Sequence, residues 1–219
     1  MYYYPVSLDI RGKRCVVIGG GGVAERKVRR LLDCGADVSV VSEAITPELD
    51  RLKRHGALVY VQAEYSERYL LGAFLVIGAT DRDEVNERIC ADCRRAGILV
   101  NIVDDPQRCD FILPSLVQRG DLQIAVSTAG KSPALAKKLR IELEARYGEA
   151  YATLVAILGE LRAGITEQGE TASECRGRIF ESLVNSDILE AIERGDRERV
   201  RTIVRDLAGR EIDAARWMK

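Results

Sequence analysis

A run of four glycines near the start of the chain separates an apolar segment from a basic one, in the stretch CVVIGGGGVAERKVRRLL. Within it, Gly19, Gly21 and Ala24 have the spacing of the G-x-G-x-x-A fingerprint, with two further glycines between them. The first glycine permits a tight turn from strand to helix, the second lets a pyrophosphate approach the backbone, and the small third residue lets helix and strand pack closely. The N–H groups and the positive dipole end of the following helix then bind the phosphate.

An acidic residue follows at the interval expected for dinucleotide binding. Glu43 comes after Ala24 by about 20 residues, directly behind an apolar run. Its carboxylate would bind the ribose hydroxyls of NAD and repel the 2′-phosphate of NADP. We therefore predict an NAD site in which the cofactor contacts Gly19, Gly21, Gly22, Val23, Ala24, Glu43 and Ala44.

The elements that position these residues alternate between short apolar runs and amphipathic stretches over the first 113 residues. Strands are predicted for 14–18, 37–42, 58–62, 73–80 and 98–104, and helices for 23–34, 46–56 and 82–97. Thr46 and Pro47 have the types favoured at the N-cap and first position of a helix, and Gly97 is a helix terminator. The alternation predicts an α/β fold, a Rossmann-type parallel sheet covered by helices on both faces.

The pattern changes at the end of this domain. The segment 111–128 contains two strand patterns joined at Arg119, Gly120 and Asp121, which predicts a hairpin, and Ser132 and Pro133 then begin a helix. From about residue 149 the pattern is helical throughout. We predict a Rossmann-type NAD-binding domain over 1–113, a connecting hairpin and helix over 114–148, and a small all-helical C-terminal domain over 149–219.

Composition argues against several function classes. The 219 residues carry 33 basic and 34 acidic side chains, so the global charge gives no support for binding nucleic acid or a membrane surface. No apolar run approaches the roughly 20 residues that span a bilayer, and the N-terminal stretch MYYYPVSLDIRGKR does not have the pattern of a signal peptide. We expect a cytoplasmic protein with reduced thiols at Cys15, Cys34, Cys90, Cys93, Cys109 and Cys175.

Four segments together resemble the precorrin-2 dehydrogenase module of siroheme synthase. They are CVVIGGGGVAERKVRRLL, ATDRDEVNERI, VNIVDDPQRCDFILPS and IAVSTAGKSPALAKKLR, in the family's order and spacing from about Tyr4 to Tyr147. Members of that family oxidise precorrin-2 to sirohydrochlorin with NAD+, on the route to siroheme or cobalamin, and some also insert Fe2+ or Co2+. The helical tail is similar in length and character more than in its residues.

The resemblance implies an NAD-dependent precorrin-2 dehydrogenase. One alternative is a bifunctional enzyme that is also a sirohydrochlorin ferrochelatase at the same site. Another is an NAD-sensing regulatory module, which would share the glycine fingerprint and the acid but would not need the segment NIVDDPQRCDFILPS. The chain ends at Lys219, before the methyltransferase half of some siroheme synthases, so we expect precorrin-2 to come from a separate enzyme.

The resemblance assigns catalysis to Asp104, which is predicted to end the strand ILVNIVD at the edge where open α/β sheets bind ligands. Asp104 is also the expected metal-binding residue if the protein is a chelatase; the structural alternative is that it caps the DDPQ turn. Cys109 follows that turn and could contact substrate or metal. A chelatase often uses an imidazole to help desolvate the incoming metal ion. Because this chain has a single histidine, His55, the sequence favours a dehydrogenase without efficient metal insertion.

Three more residues are candidates for cofactor contact. Thr80 and Asp81 close a predicted strand beside the expected cleft, although Asp81 could equally be the N-cap of the next helix. Asn101, within the last strand of the predicted sheet, could orient the nicotinamide or satisfy backbone groups.

The resemblance also implies where substrate and a second subunit bind. Thr128, in the loop STAGKSP, aligns with a serine of siroheme synthase and keeps its hydroxyl. Lys131, Arg108 and Arg119 are possible partners for the acidic arms of the substrate. Each of these basic residues could instead be a solvated surface charge. The segment 114–148 corresponds to the family's dimerisation segment, so we predict a homodimer whose active sites are bordered by both subunits.

Overall fold

The structure, a computed structural model, describes residues 3–167 and 173–218. Contacts within the chain divide it into two units, Met1–Leu113 and Pro114–Lys219, and each is described by itself.

The first unit contains a five-stranded parallel sheet with the strand order β3-β2-β1-β4-β5. Its strands are β1 Arg14–Ile18, β2 Asp37–Ser42, β3 Val59–Gln62, β4 Leu75–Gly78 and β5 Leu99–Ile102, and its helices are α1 Gly22–Asp33, α2 Pro47–Arg54 and α3 Asp83–Ala96. The predicted Rossmann-type sheet is confirmed. Because the strand order reverses between β1 and β4, a crevice opens at the carboxyl ends of these two strands.

Two apolar clusters cover the faces of this sheet. Since successive side chains of a strand point to opposite faces, Val17 packs with Val28 of α1 in one cluster, while Val16 packs with Ile89 of α3 in the other. All four side chains are fully buried. Burial of each is worth about 1.5–3 kcal/mol, which stabilises the sheet on which the loops are carried.

The start of α2 and the end of α3 are set by capping residues next to them in the sequence. Thr46 caps α2, its hydroxyl accepting from the Leu49 N–H at 3.2 Å, and Gly97 ends α3 with a φ of 67°. Both were predicted. The suggestion that Asp81 caps α3 is wrong, because the N-cap is Arg82, whose N–H donates to the hydroxyl of Thr80 at 3.3 Å.

The second unit begins with an antiparallel hairpin of β6 Ser115–Arg119 and β7 Leu122–Val126. Its turn includes Gly120, whose φ of 54° suits a residue without a Cβ. The helices that follow are α4 Pro133–Arg146, α5 Ala150–Glu167, α6 Ser173–Val184, α7 Ile188–Glu193, α8 Arg197–Ala208 and α9 Ala214–Trp217. The predicted hairpin, the helix begun by Ser132 and Pro133, and the helical C-terminal part are confirmed.

A separate apolar core holds the helical part together. Ile157, Leu183, Ile188 and Val200 are fully buried in it. Among the described helices, none is both long enough and apolar enough to cross a bilayer.

Candidate functional site

A cleft of about 640 Å³ opens at the carboxyl edge of the sheet. Ala24 lies below the cleft, fully buried against the sheet, and Asn101 lies on β5, outside the lining. The other residues predicted to bind the cofactor all line it: Gly19, Gly21, Gly22, Val23, Glu43, Ala44, Thr80 and Asp81.

The four glycines at the cleft have two different structural requirements. A Cβ on Gly19, whose φ is 120°, would overlap the backbone of Ala79, and one on Gly20 would overlap the carbonyl oxygen of Ala44. In contrast, a Cβ on Gly21 or Gly22 would meet nothing within 4 Å. The first two glycines therefore let neighbouring loops pack, and the last two leave space for a ligand. Gly20 had no predicted role, because its close approach to the β2 loop is a tertiary contact.

The N-terminus of α1 provides donors to that space. Gly21 is the N-cap, with an extended backbone and no side chain to cap the first turn. The acid of this turn, Glu25, is held elsewhere, since it accepts from the Thr46 hydroxyl at 2.7 Å and pairs with Arg29 at 3.1 Å. The first-turn N–H groups and the adjacent open volume therefore fit the pyrophosphate of a dinucleotide.

Glu43 stands at the rim of the cleft, just beyond the end of β2. Its side chain is exposed, and its backbone carbonyl accepts a hydrogen bond from the Gln62 amide at 3.2 Å. This bond ties the β2 loop to the neighbouring strand β3, so the carboxylate projects from a fixed backbone.

The loop after β4 is braced by a side-chain pair. The Thr80 hydroxyl donates to Asn86 Oδ1 at 2.9 Å, and Asn86 Nδ2 donates to the Thr80 carbonyl at 3.0 Å. Asn86 is buried, so both ends of its amide are satisfied by this loop. Asp81, free of a capping role, stays exposed on the cleft lining.

Asp104 lies one strand further along the same edge, in a turn rather than at a strand end. The strand β5 ends at Ile102, which corrects the prediction that Asp104 ends it. The Asp104 backbone is left-handed, with a φ of 61°, which is uncommon for a residue with a Cβ and tends to occur at functional sites.

The cap of the following turn is Asp105, not Asp104. Asp105 Oδ1 accepts from the N–H groups of Gln107 and Arg108 at 3.1 and 3.3 Å. The structural alternative for Asp104 is therefore wrong. In the part of the chain that the structure describes, the exposed Asp104 carboxylate makes no hydrogen bond.

Asn101 is used inside the protein. It is 7% exposed, and its Nδ2 donates to the carbonyl of Phe111 at 2.9 Å and to Cys109 Sγ at 3.4 Å. These bonds favour the backbone-satisfying role that the sequence left open. Orientation of a nicotinamide by Asn101 stays a prediction.

The basic residues suggested for substrate arms differ in their surroundings. Arg108 bridges two carboxylates, with 3.2 Å from Nη2 to Asp83 and 3.2 Å from Nε to Asp105, and its hydrogen bonds lower the pKa of Asp83. In the second unit, Arg119 donates to the carbonyls of Gln118 and Glu144 at 2.8 and 3.2 Å. Both guanidinium groups thus have protein partners.

The loop containing Lys131 has a strained backbone of its own. Thr128 Oγ1 accepts from the Ser132 N–H at 3.0 Å, and Ala129 between them has a φ of 53°. Lys131 is exposed in this loop. Its role and that of Thr128 in substrate binding stay predictions.

Lys27 was not among the predicted site residues. This residue of α1 is half-buried, and its burial lowers the pKa of the ammonium group, as do Arg30 and Arg26, while the Asp104 carboxylate opposes the shift. The Asp104 carboxylate is therefore close enough to α1 for its charge to act on Lys27. The sequence shows a basic helix, but not which of its cations faces the β5 edge.

Metal ligands are not clustered in the described part of the chain. Over those residues no group of three or more histidine, cysteine, aspartate or glutamate side chains is arranged to hold an ion. The five cysteines whose side chains are described are free thiols, and Cys175 lies outside the residues whose side chains are described. His55 ends α2, its Nδ1 lying 2.7 Å from the Arg51 carbonyl.

Comparison with known proteins supports the dinucleotide cleft. Residues 6–115 match the family described as putative NAD(P)-binding, and residues 119–146 match the one described as sirohaem biosynthesis protein central. The chain is 40% identical over 215 residues to siroheme synthase 1 of Aeromonas salmonicida, covering 98% of this chain and 46% of that protein. It is 39% identical over 198 residues to the siroheme synthase of Nitrosococcus oceani, covering 90% of this chain and 42% of that one.

The chain spans less than half the length of these curated relatives. Among solved structures, it is similar to that of SirC, precorrin-2 dehydrogenase, with a TM-score of 0.77 and 24% identity, covering 95% of this chain and 100% of that one. This likeness confirms the fold.

Proposed function

We propose that this chain, which belongs to the NAD(P)-binding family found in siroheme synthases, is a precorrin-2 dehydrogenase. Such an enzyme oxidises precorrin-2 to sirohydrochlorin with NAD+. The similar solved structure is that of a protein named for the same activity. The names of the relatives favour siroheme over cobalamin as the end product.

One observation carries the proposal beyond cofactor binding. Asp104 is held in a left-handed turn at the carboxyl edge of the sheet, one strand beyond the dinucleotide cleft, and its carboxylate has no hydrogen bond within the described residues. A module that only senses NAD does not require a carboxylate that has a strained backbone and no hydrogen bond near its cofactor site. A dehydrogenase that acts on a macrocycle does, because the substrate loses one proton to a base in addition to the hydride that NAD+ accepts.

The residues of the site have separate tasks. Bound NAD+ supplies the acceptor for the two electrons. The open backbone at Gly21 and Gly22 and the first turn of α1 bind its pyrophosphate, and Glu43 binds the adenosine ribose. Thr80 and Asp81 line the cleft nearest β4. Asp104 then accepts a proton from the macrocycle.

The acidic arms of the substrate need cations that are free to bind them. Lys27 is half-buried, its charge interacts with that of Asp104, and its ammonium group has no hydrogen bond or ion pair within the described residues. Within the first unit, Lys27 is therefore a better candidate for this role than Arg108, whose guanidinium group already has partners. Within the second unit, the exposed Lys131 is preferred to Arg119 for the same reason. A partly desolvated ammonium also binds a carboxylate more strongly than a solvated one.

The proposal also covers the cellular compartment and the oligomeric state. The five described cysteines form no disulfide, which suits the reducing conditions of a cytoplasm. The hairpin and α4 would form the interface of a homodimer, since α4 exposes Leu135, Leu139 and Ile141. Exposed apolar side chains on one element are a common feature of such interfaces.

The decisive experiment incubates the purified chain with freshly prepared precorrin-2 and NAD+ and follows NADH and sirohydrochlorin by absorbance. We expect oxidation by the wild-type chain and a loss of turnover by about 100-fold or more in Asp104→Asn. NAD+ affinity, measured by calorimetry, should stay within about twofold, because Asp104 is outside the cleft lining.

A matched control is Asp110→Asn, which changes an exposed carboxylate on the same segment and keeps an oxygen able to accept from the Val100 N–H. NAD+ binding without any oxidation would refute the dehydrogenase and leave the sensing module. Fe2+ or Co2+ added after oxidation tests the chelatase alternative: insertion faster than the spontaneous rate, and lost in Asp104→Asn, would make the protein bifunctional.

A further inference from the structure

Cys109 makes an unusual set of contacts around the turn that contains Asp104. Its Sγ accepts from the Ile102 N–H at 3.2 Å and from Asn101 Nδ2 at 3.4 Å. The same sulfur lies 3.1 Å from the carbonyl oxygens of both Ile102 and Asp105, to which its S–H can donate. The thiol thus contacts backbone groups on both sides of Asp104.

These contacts help to hold the unfavourable backbone conformation of Asp104. A residue with a Cβ does not favour a φ of 61°, so surrounding contacts must hold it there. The turn itself supplies one weak backbone bond, from the Asp105 N–H to the Ile102 carbonyl at 3.3 Å. The thiol adds contacts to both of these residues, and through Asn101 it is tied to the carbonyl of Phe111.

We propose that Cys109 is a positioning residue, whose thiol holds the turn over Ile102–Asp105 so that the Asp104 carboxylate stays directed at the substrate. The inference rests on the proposed function, in which Asp104 takes a proton from precorrin-2. It replaces the idea that Cys109 itself contacts substrate or metal, because the sulfur faces the backbone of its own loop.

The chemical state of the sulfur agrees with this role. Burial raises the pKa of the Cys109 thiol, and the Asp105 carboxylate adds to the shift, although the Ile102 N–H opposes it. The group therefore keeps its hydrogen at neutral pH and remains a donor. A thiol in this state is a poor nucleophile and a poor metal ligand.

The size of the expected effect follows from geometry. Displacement of a reacting group by about 1 Å costs about 100-fold in rate. Replacing the thiol by a hydrogen atom, as in alanine, removes every contact described above without adding bulk. We therefore expect Cys109→Ala to lower kcat by about 10- to 100-fold, while KM for precorrin-2 and the affinity for NAD+ change less than about threefold.

Two variants separate positioning from a general loss of stability. Cys109→Ser restores a donor and an acceptor at the same place, so it should recover at least about half of the lost rate on a logarithmic scale. Cys15→Ala also removes a buried sulfur, but from β1 and with no contact to the turn. It should lower the melting temperature and leave kcat within about twofold.

Amide hydrogen exchange by mass spectrometry provides a readout that needs no turnover. In Cys109→Ala, exchange should become faster over 102–108 and stay unchanged in α1 and α3. The proposal is overturned if kcat in Cys109→Ala equals that of wild type, or if Cys109→Ser is as slow as Cys109→Ala. Should the wild-type chain fail to oxidise precorrin-2, the proposed function falls, and exchange alone decides the positioning: unchanged rates over 102–108 would refute it.

Discussion

Gly20 and Ala44 lie in backbone contact, so close that a Cβ on Gly20 would overlap the carbonyl oxygen of Ala44 and lie 2.8 Å from Ser42 Oγ. The contact continues in a hydrogen bond from the Thr46 N–H to the Gly20 carbonyl at 3.0 Å. The glycine loop after β1 and the loop after β2 therefore form one rigid rim. In the proposed site the first loop faces the pyrophosphate and the second presents Glu43 to the ribose, so this contact sets the distance between the two halves of that site.

Alanine substitutions at adjacent glycines should have opposite consequences. Gly20→Ala forces two backbones apart, so we expect it to lower the free energy of unfolding by about 1–3 kcal/mol. Gly21→Ala places its methyl group in open space, with backbone angles that alanine tolerates. It should leave stability nearly unchanged but weaken NAD+ binding by about tenfold or more, which corresponds to about 1.4 kcal/mol.

Thermal unfolding and calorimetric titration with NAD+ check this pair. If Gly21→Ala loses stability as much as Gly20→Ala, or if it binds NAD+ normally, the division of the glycines into packing and ligand-facing residues is wrong.

The parallel sheet was predictable because its signals are local. Arg14–Ile18 and Asp37–Ser42 are observed with the predicted bounds, since apolar runs between glycine-rich turns specify buried strands with little competition. The helix ends at Thr46 and Gly97 were predictable for the same reason. The glycine fingerprint then placed the cleft, because the edge at which ligands bind follows from the topology.

The details around Asp104 were only partly predictable from the sequence. Asp105 directly precedes Pro106, so its role as the cap follows the same local rule as Thr46 before Pro47. The left-handed backbone of Asp104 has no such local signal, because the residue has a Cβ and no glycine marks the position. The last strand ends two residues early, because its pairing with β4 stops at Gly78 and Ile102, where β4 itself ends. The end of a neighbouring strand is a tertiary constraint that overrides strand propensity without a local signal.

Cofactor choice should depend on Glu43. Glu43→Gln removes the negative charge that repels a 2′-phosphate and weakens the bond to the ribose hydroxyls. We expect the affinity for NAD+ to fall by about tenfold and that for NADP+ to rise, measured by titration of each nucleotide. Glu64→Gln is the control, because Glu64 is another exposed carboxylate of the cleft lining. An equal change in both variants would show a general charge effect instead.

The proposed homodimer should depend on the apolar face of α4. Leu135 and Leu139 are 47% and 36% exposed and lie four residues apart, on one side of the helix. Changing both to aspartate places two charges in the proposed interface, so the chain should become monomeric in light scattering coupled to gel filtration. Leu207→Asp alters an apolar residue of α8 with a similar exposure, 38%, and should leave the mass unchanged. A wild-type monomer would contradict the interface directly.

Deprotonation of the Cys109 thiol at alkaline pH should loosen the turn that contains Asp104. Burial raises the pKa of this thiol above its ordinary value of 9.0, so the protonated form is the one that the fold stabilises. The contribution of the thiol to stability is therefore fully present below pH 9.0 and is lost as the pH rises through the raised pKa of Cys109. Once the thiolate forms, it no longer donates to the carbonyls of Ile102 and Asp105.

Turnover of the wild-type chain should therefore decline at alkaline pH, and kcat of Cys109→Ser should lack this decline, because a hydroxyl does not titrate there. The charged or titrating groups that interact with the thiol are Asp105, Asp110, Cys90 and Lys27. Burial lowers the pKa of Lys27, which makes this lysine the alternative source of a titration at alkaline pH. A decline that persists unchanged in Cys109→Ser and disappears in Lys27→Met would assign the titration to the lysine and contradict the role of the thiol.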